Sequence, residues 1–454
     1  MTNIPASYKF SRLDSNEAIL QLDPDIIREL DIKAGKQVQL KFGNLVTPVN
    51  ILQLSPKQQP NEVKMKISGK VLEELHIPIE MKLSLRQSGE NQLSLGPVIG
   101  IITFANTYAN KHFNFYLNYR VMLKSGLLYV FSGQAVNPKS NTVKGYYFNP
   151  AAKTWALADL PYPDAVIDRC YPNAYWTHGQ LERTIGTGKI FNKKTMINKL
   201  DFFRAISEDN ILKEHLPETR FCCHASDFAY LLKKYGKVFI KPVAGMQGRG
   251  IVTAFLNDNG IKCRYMAKGQ ITEKELSNPR QIFNLLATFG YPRRRYIIQE
   301  AVSLLDYQGK PFTFRVMVCK NGQGQWLVPA IFTNAATGDS FLTNHAAGTS
   351  KFIPFANLFK DIEHKLKTSK ADFINSLVQL GISAARVLDK KYGPLGELGL
   401  DMVADRAGKP RFLEANGNPG MVPMSHMVDF PKWRYQAFEL PISYAIHLAG
   451  YENY

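Results

Sequence analysis

The sequence predicts an α+β chain built from three units. Three observations carry that expectation. Residues 1–95 contain an internal repeat, residues 96–190 interleave short β-branched runs with a helical stretch, and residues 191–454 hold glycine-rich and acidic segments that each join strand to strand. Composition agrees: 45% hydrophobic and 21% charged residues in a chain of 454 exclude a collagen-like or wholly disordered protein. The most apolar run, 96–105, is strand-sized and falls short of the ~18–20 residues of a membrane helix, so no transmembrane segment is expected. The N-terminus lacks the apolar centre of a secretory signal. Five cysteines without metal spacing fit reduced thiols, and Cys222 with Cys223 reads as two packed small side chains.

The repeat has an offset of 45: Asp23-Pro-Asp-Ile-Ile-Arg-Glu-Leu30 aligns with Ser68-Gly-Lys-Val-Leu-Glu-Glu-Leu75, and Val38-Gln-Leu-Lys41 with Leu83-Ser-Leu-Arg86. Each copy reads strand, short helix, strand. Residues 18–22, 62–67, 37–42 and 82–85 alternate apolar and polar, which is the strand period. Asp23 and Ser68 stand at helix N-cap positions. One such copy has too little core, whereas two can share one. A pseudo-symmetric barrel over 1–95 follows, and its ββαβ duplication resembles a double-psi barrel. It holds no catalytic cluster, so docking and a purely structural role both stay open.

From 96 to 190 the runs 96–104, 127–131, 143–148 and 165–168 read as strands and 111–125 as a helix, a small α/β layer. No Gly-x-Gly-x-x-Gly follows the first strand, so no dinucleotide site is indicated there.

The informative stretch is Lys237-Val-Phe-Ile-Lys241-Pro-Val-Ala-Gly245-Met-Gln-Gly248-Arg-Gly250. A strand carries Lys241, and Gly245, Gly248 and Gly250 form a loop whose backbone N–H groups can approach phosphate oxygens. The loop joins strand to strand, unlike Rossmann and Walker loops, which lead into a helix. By itself it is also what a hairpin turn would show. Tyr296-Ile-Ile-Gln-Glu300 is a strand ending in an acid, suited to a hinge that reads adenine and ribose. Arg315 lies in the apolar run Phe314–Val318 and must be paired or contact an anion. Two strands around a Gly-Lys turn carry Asp401 and Glu414, followed by Asn416. A tight turn sets the two carboxylates side by side, where they repel unless a cation intervenes. With the Asn oxygen they make a hard ligand set suited to Mg²⁺ on ATP phosphates.

This order of motifs over 191–454 resembles the ATP-grasp fold. More closely, with Asn173-Ala-Tyr-Trp and Glu397-Leu-Gly-Leu-Asp401, the chain resembles the YheC/YheD family of endospore coat-associated proteins. The resemblance implies that Lys199 and Lys241 are the two nucleotide lysines and that Gly245, Gly248 and Gly250 form the phosphate loop. It implies Glu300 as the hinge acid, Arg315 as the catalytic arginine near the transferred phosphate, and Asp401, Glu414 and Asn416 as magnesium ligands. ATP and Mg²⁺ are then the cofactors. Phosphorylation of a carboxylate, followed by attack of an amine or thiol on the acyl phosphate, is the chemistry implied. The family also implies synthesis in the cytoplasm and association with the spore coat or forespore.

The resemblance weakens on the acceptor side. Leu342-Thr-Asn344-His345-Ala346-Ala347-Gly348 is similar to the loop of the glutamate-ligating branch but lacks its arginine. His345 could contact substrate or have no role, and Arg293-Arg-Arg295 reads equally as a solvated turn. Net charge is +18, and residues 191–454 hold 35 Lys and Arg against 23 Asp and Glu. That excess suggests an acidic substrate or spore envelope component as partner. Patterns for specific nucleic-acid binding are absent from the sequence. Two classes remain open: a ligase, and a non-catalytic ATP-binding assembly protein of the coat.

Overall fold

The computed structural model describes residues 7–55, 63–79, 81–170, 174–194, 196–245, 249–258, 260–267, 270–337, 350–419 and 431–451. Its strands form one closed barrel and three sheets.

The barrel holds seven strands between Ser7 and Gly96. Ser7–Leu13 runs parallel to Met65–Ser68, and Ile19–Leu22 runs parallel to Leu45–Gln53. Ile19–Leu22 and Met65–Ser68, the equivalent strands of the two repeats, are neighbours in the barrel and pair antiparallel. The alternation of buried and exposed residues in Gln37–Phe42 is what a strand with one face in the core requires. The helix Pro24–Glu29 is capped by Asp23, whose side chain accepts from the Asp25 N–H at 2.9 Å. Ser68 occupies the equivalent position but turns its hydroxyl to accept from the Ile19 N–H of the neighbouring strand, at 3.1 Å. The sequence shows the cap position in both copies, but only one cap is used.

The second sheet has seven strands, with Val98–Ile102 parallel to both Leu127–Phe131 and Ala165–Asp168. The single helix expected over 111–125 is shorter: a 3-10 turn over Asn114–Tyr116 leads into the α-helix Leu117–Met122, and a separate short helix precedes it. That helix, Ala105–Ala109, ends at Asn110, and Lys111 takes a left-handed φ of 54°. The late start lets Phe113 and Tyr116 turn into the core. One apolar cluster runs through the barrel and into this sheet, joining Leu40, Phe42 and Leu95 to Leu127, Phe131 and Leu160. On the sheet's other face, Ile99 and Ile101 share a cluster with Met317 and Phe332 of the fourth sheet and with Phe438 and Ile442 of the helix Pro431–Leu448.

The third and fourth sheets are antiparallel and six-stranded. The third includes Lys237–Pro242 between Val252–Asn257 and Tyr296–Glu300, backed by the helix Ala225–Tyr235. The fourth sets Lys310–Lys320 between Trp326–Ala336 and Glu397–Ala404, with Pro410–Asn416 beyond. The helices Lys199–Ser207 and Lys370–Tyr392 cover one face of it. All five cysteines are free; Cys222 is buried but Cys223 is exposed, so the two do not pack together as a pair.

Candidate functional site

The fourth sheet brings three of the expected residues into register. Arg315 stands opposite Asp401 on the neighbouring strand, and Asp401 stands opposite Glu414 on the next. The ladder slips by one residue between Asp401 and Met402, so that Leu413 is extra. This bulge sets the geometry. Phe412 and Glu414 are two apart and would share a face of a regular strand. With the extra residue, Phe412 enters the core while Glu414 joins Asp401 on the site face.

Charges converge there. Arg315 donates from Nε and Nη2 to the two oxygens of Asp401, a bidentate pair. Lys199, in the first turn of the helix Lys199–Ser207, places Nζ 3.0 Å from Glu414 Oε2 and 3.5 Å from the Gly245 carbonyl. Asn198 caps that helix by accepting from the Asp201 N–H at 2.9 Å. Lys241 reaches in from the third sheet, and its Nζ donates to Gln299 Oε1 at 2.5 Å. Asn416 Nδ2 lies 3.5 Å from Asp401 Oδ2. Three cations thus face two carboxylates.

Burial lowers the Lys241 pKa to about 8, helped by nearby Lys199 and opposed by Glu414. Burial also lifts the Asp401 carboxyl above its usual range, because desolvation outweighs its pairing with Arg315. Burial acts the same way on Glu414, but Lys199, Lys241 and Arg315 outweigh it and hold that carboxyl low. The two acids sit side by side with pKa values pushed in opposite directions, a pattern frequent in functional sites.

The other expected residues fall differently. Gly250 has φ of 76°, a left-handed conformation that favours glycine, while Gly248 lies outside the described residues. Glu300 stands opposite Val238, three positions along the strand from Lys241. Its Oε2 accepts from the Glu218 N–H at 3.0 Å and lies 3.6 Å from Arg411. His345 and its loop, and Asn173, lie outside the described residues. Arg293, Arg294 and Arg295 are exposed on a turn. Gln299, the partner of Lys241, had one signal in the sequence: a polar residue within an apolar strand run.

Magnesium is held by hard oxygens, commonly one or two carboxylates completed by phosphate oxygens and water. Among the described residues no cluster of three or more His, Cys, Asp or Glu is arranged to hold a metal. Two carboxylates with an amide oxygen nearby fit a metal that shares its ligands with a nucleotide. They do not fit an all-protein cage.

Residues 187–448 match the family model described as YheC/D like ATP-grasp. The endospore coat-associated protein YheD of Bacillus subtilis is 27% identical over 353 residues, 74% of this chain and 76% of that protein. YheC of the same organism is 25% identical over 291 residues, 63% of this chain and 78% of that protein. Among solved structures, the ATP-grasp ligase PsnB bound to a minimal precursor aligns with a TM-score of 0.46 at 12% identity, over 77% of this chain and 100% of its own. The VanG D-Ala:D-Ser ligase of Enterococcus faecalis gives a TM-score of 0.46 at 11% identity, over 77% and 98%. The family match spans more than half of the chain and coincides with the two sheets that hold the charge cluster, so the chain belongs to the YheC/D-like ATP-grasp family.

Proposed function

We propose that the protein is an ATP- and Mg²⁺-dependent ligase that joins a carboxylate to an amine or thiol, acting on an acidic spore envelope or peptide component. The observation that carries this reading is the convergence of Lys199, Lys241 and Arg315 on Asp401 and Glu414. Bound Mg·ATP would supply the phosphoryl group that activates the substrate carboxylate as an acyl phosphate. Asp401, Glu414 and Asn416 would hold the metal. Lys199 and Lys241 would bind the phosphates, Lys199 leaving Glu414 as it does so. Arg315 would offset charge developing on the transferred phosphoryl group. Gly245, Gly248 and Gly250 would lie along the phosphates and help exclude water, and Glu300 would face the nucleoside. Such a site works through positioning and charge rather than through a nucleophile of its own.

The partner reading rests on the +18 charge, and the names of the curated relatives support a place at the spore coat. We read the chain as units 1–95, 96–190 and 191–454, with the first of double-psi type; the interlocked parallel strand pairs of the barrel support that type. Among the described residues no helix is long and apolar enough to cross a membrane.

A second reading, a non-catalytic ATP-binding assembly protein of the coat, is favoured by one observation. The carboxylates already have counter-charges from Arg315 and Lys199, so the fold does not need metal or nucleotide to offset them. Titration with a non-hydrolysable ATP analogue, with and without Mg²⁺, separates the outcomes. The ligase reading expects Mg²⁺-dependent binding that is lost on combining Asp401→Asn with Glu414→Gln, and phosphate release when a carboxylate and amine acceptor are supplied with ATP. Binding without phosphate release in any acceptor mixture favours the assembly reading. No binding rules out both.

A further inference from the structure

We propose that Arg169 is a positioning residue for the metal–phosphate site, supplied from outside the segment that matches the family. The inference rests on the assignment of Asn416 as a ligand and extends it. Arg169 follows the strand Ala165–Asp168 of the second sheet and is 4% exposed. Its Nη1 donates to Asn418 Oδ1 at 2.6 Å and to the Pro419 carbonyl at 3.1 Å. Its Nη2 donates to the Tyr119 hydroxyl and to Glu397 Oε2, and its Nε lies 3.2 Å from Glu397 Oε1. Asn418 Nδ2 donates back to the Arg169 carbonyl at 3.1 Å. Asn192, fully buried, donates from Nδ2 to the Gly417 carbonyl at 2.8 Å and to the Glu397 carbonyl at 3.1 Å.

The β-ladder ends where Gly399 faces Asn416. Among the described residues no strand pairs with 417–419. The three residues that follow Asn416 are instead each gripped by a side chain: Gly417 by Asn192, and Asn418 and Pro419 by Arg169. A fully buried ion pair is a poor way to stabilise a fold, because desolvating both ions offsets their attraction and an apolar pair of like volume often does as well. An apolar pair cannot aim donors at the Asn418 oxygen and the Pro419 carbonyl. That aim gives the buried charge a purpose: it fixes the turn and so presents Asn416 beside Asp401. Contacts of this kind, one step out from a ligand, set ligand orientation in metal sites.

Two full-length variants test this, Arg169→Gln and the double variant Arg169→Met with Glu397→Leu. The first readout is hydrogen exchange of backbone amides over 410–419 in the nucleotide-free protein. Both variants should exchange faster there, with no change in the strands of the third sheet. The second is affinity for a non-hydrolysable ATP analogue. Both variants should lose about 10–100-fold in the presence of Mg²⁺ and almost nothing in its absence. The double variant should recover wild-type thermal stability without recovering the Mg²⁺-dependent affinity. Unchanged exchange over 410–419 overturns the proposal, as does an equal affinity loss with and without Mg²⁺, which would mark a merely structural role. If the wild type binds no nucleotide, the reading of the site fails, and the exchange measurement still decides the clamp.

Discussion

Lys241 is the group whose titration is expected to make the site respond to pH just above neutrality. A free lysine titrates near ~10.4, and burial brings this one to about 8. Between those values the unfolded chain holds a proton that the folded chain has released, so this lysine's contribution makes stability rise with pH across that window. Nucleotide binding behaves oppositely. Phosphate oxygens beside Lys241 would restore its charge, so binding takes up a proton above about pH 8. Affinity for an ATP analogue is then expected to fall as pH rises past that point, by up to about tenfold per unit for one linked proton. Lys241→Arg, which stays charged, should flatten the slope. Titration calorimetry in two buffers of different ionisation heat measures the proton directly; a heat that does not change with the buffer would place the lysine away from the phosphates. Residues of this kind were legible in the sequence, because a lysine, an arginine or a pair of acids inside apolar strand runs needs a reason. Arg169 was not. It reaches its partner Asn418 across 249 positions, and nothing in the local pattern around either residue announces the contact.

At the scale of elements, a helix start and a bulge aim the side chains. Asn198 caps the helix Lys199–Ser207 and fixes the turn from which Lys199 reaches Glu414. Asn198→Ala should cost about 0.5–2 kcal/mol of stability, read as a lowered denaturant midpoint with an unchanged slope. It should also weaken nucleotide binding, since Lys199 loses its fixed origin; a fall in stability with full affinity would show that the cap serves the fold alone. The hairpin holding Asp401 and Glu414 was visible from its apolar strands and Gly-Lys turn, but the extra residue at Leu413 was not. Alternation alone puts Phe412 and Glu414 on one face, and only pairing with Met402 and Asp401 separates them. The late start of the helix expected over 111–125, and the separate helix at 105–109 before it, escaped for a similar reason. The apolar residues there fit a helical period, and the left-handed turn at Lys111, which carries no glycine, gives no warning.

At the scale of the molecule, the barrel and the second sheet share one core, although the sequence repeat ends at residue 95. Contacts other than apolar ones cross the same boundary. The Gly126 N–H donates to the Lys82 carbonyl at 2.8 Å, and the Asn44 N–H to the Tyr162 carbonyl at 3.1 Å. At Gly43 a side chain would sit 2.3 Å from that Tyr162 oxygen, so the barrel loop approaches closer than any other residue would allow. Asp164, a half-buried carboxylate just before the strand Ala165–Asp168, accepts from the Val98 N–H at 2.9 Å, and desolvation raises its pKa. Lys41 and Arg86, both of the barrel, are two of the three cations that favour its charged form. Arg86 also lies over Tyr451, at 4.5 Å from the ring centre, tying the barrel to the chain just beyond the last helix. Removing residues 1–95 would therefore uncover Leu127, Phe131, Leu160 and their neighbours and strip Asp164 of two counter-charges. The three named side chains laid bare cost about 4.5–9 kcal/mol at about 1.5–3 kcal/mol each, comparable to a typical domain's whole stability of about 5–15 kcal/mol. The shortened chain 96–454 is expected to lose cooperative unfolding of the second sheet, read by circular dichroism and by limited proteolysis between 96 and 190. Because that sheet carries Arg169, nucleotide binding in the presence of Mg²⁺ should weaken with it. A shortened chain that melts like the full protein and keeps its Mg²⁺-dependent affinity would instead make the barrel an appendage whose packing against the sheet is incidental to the site.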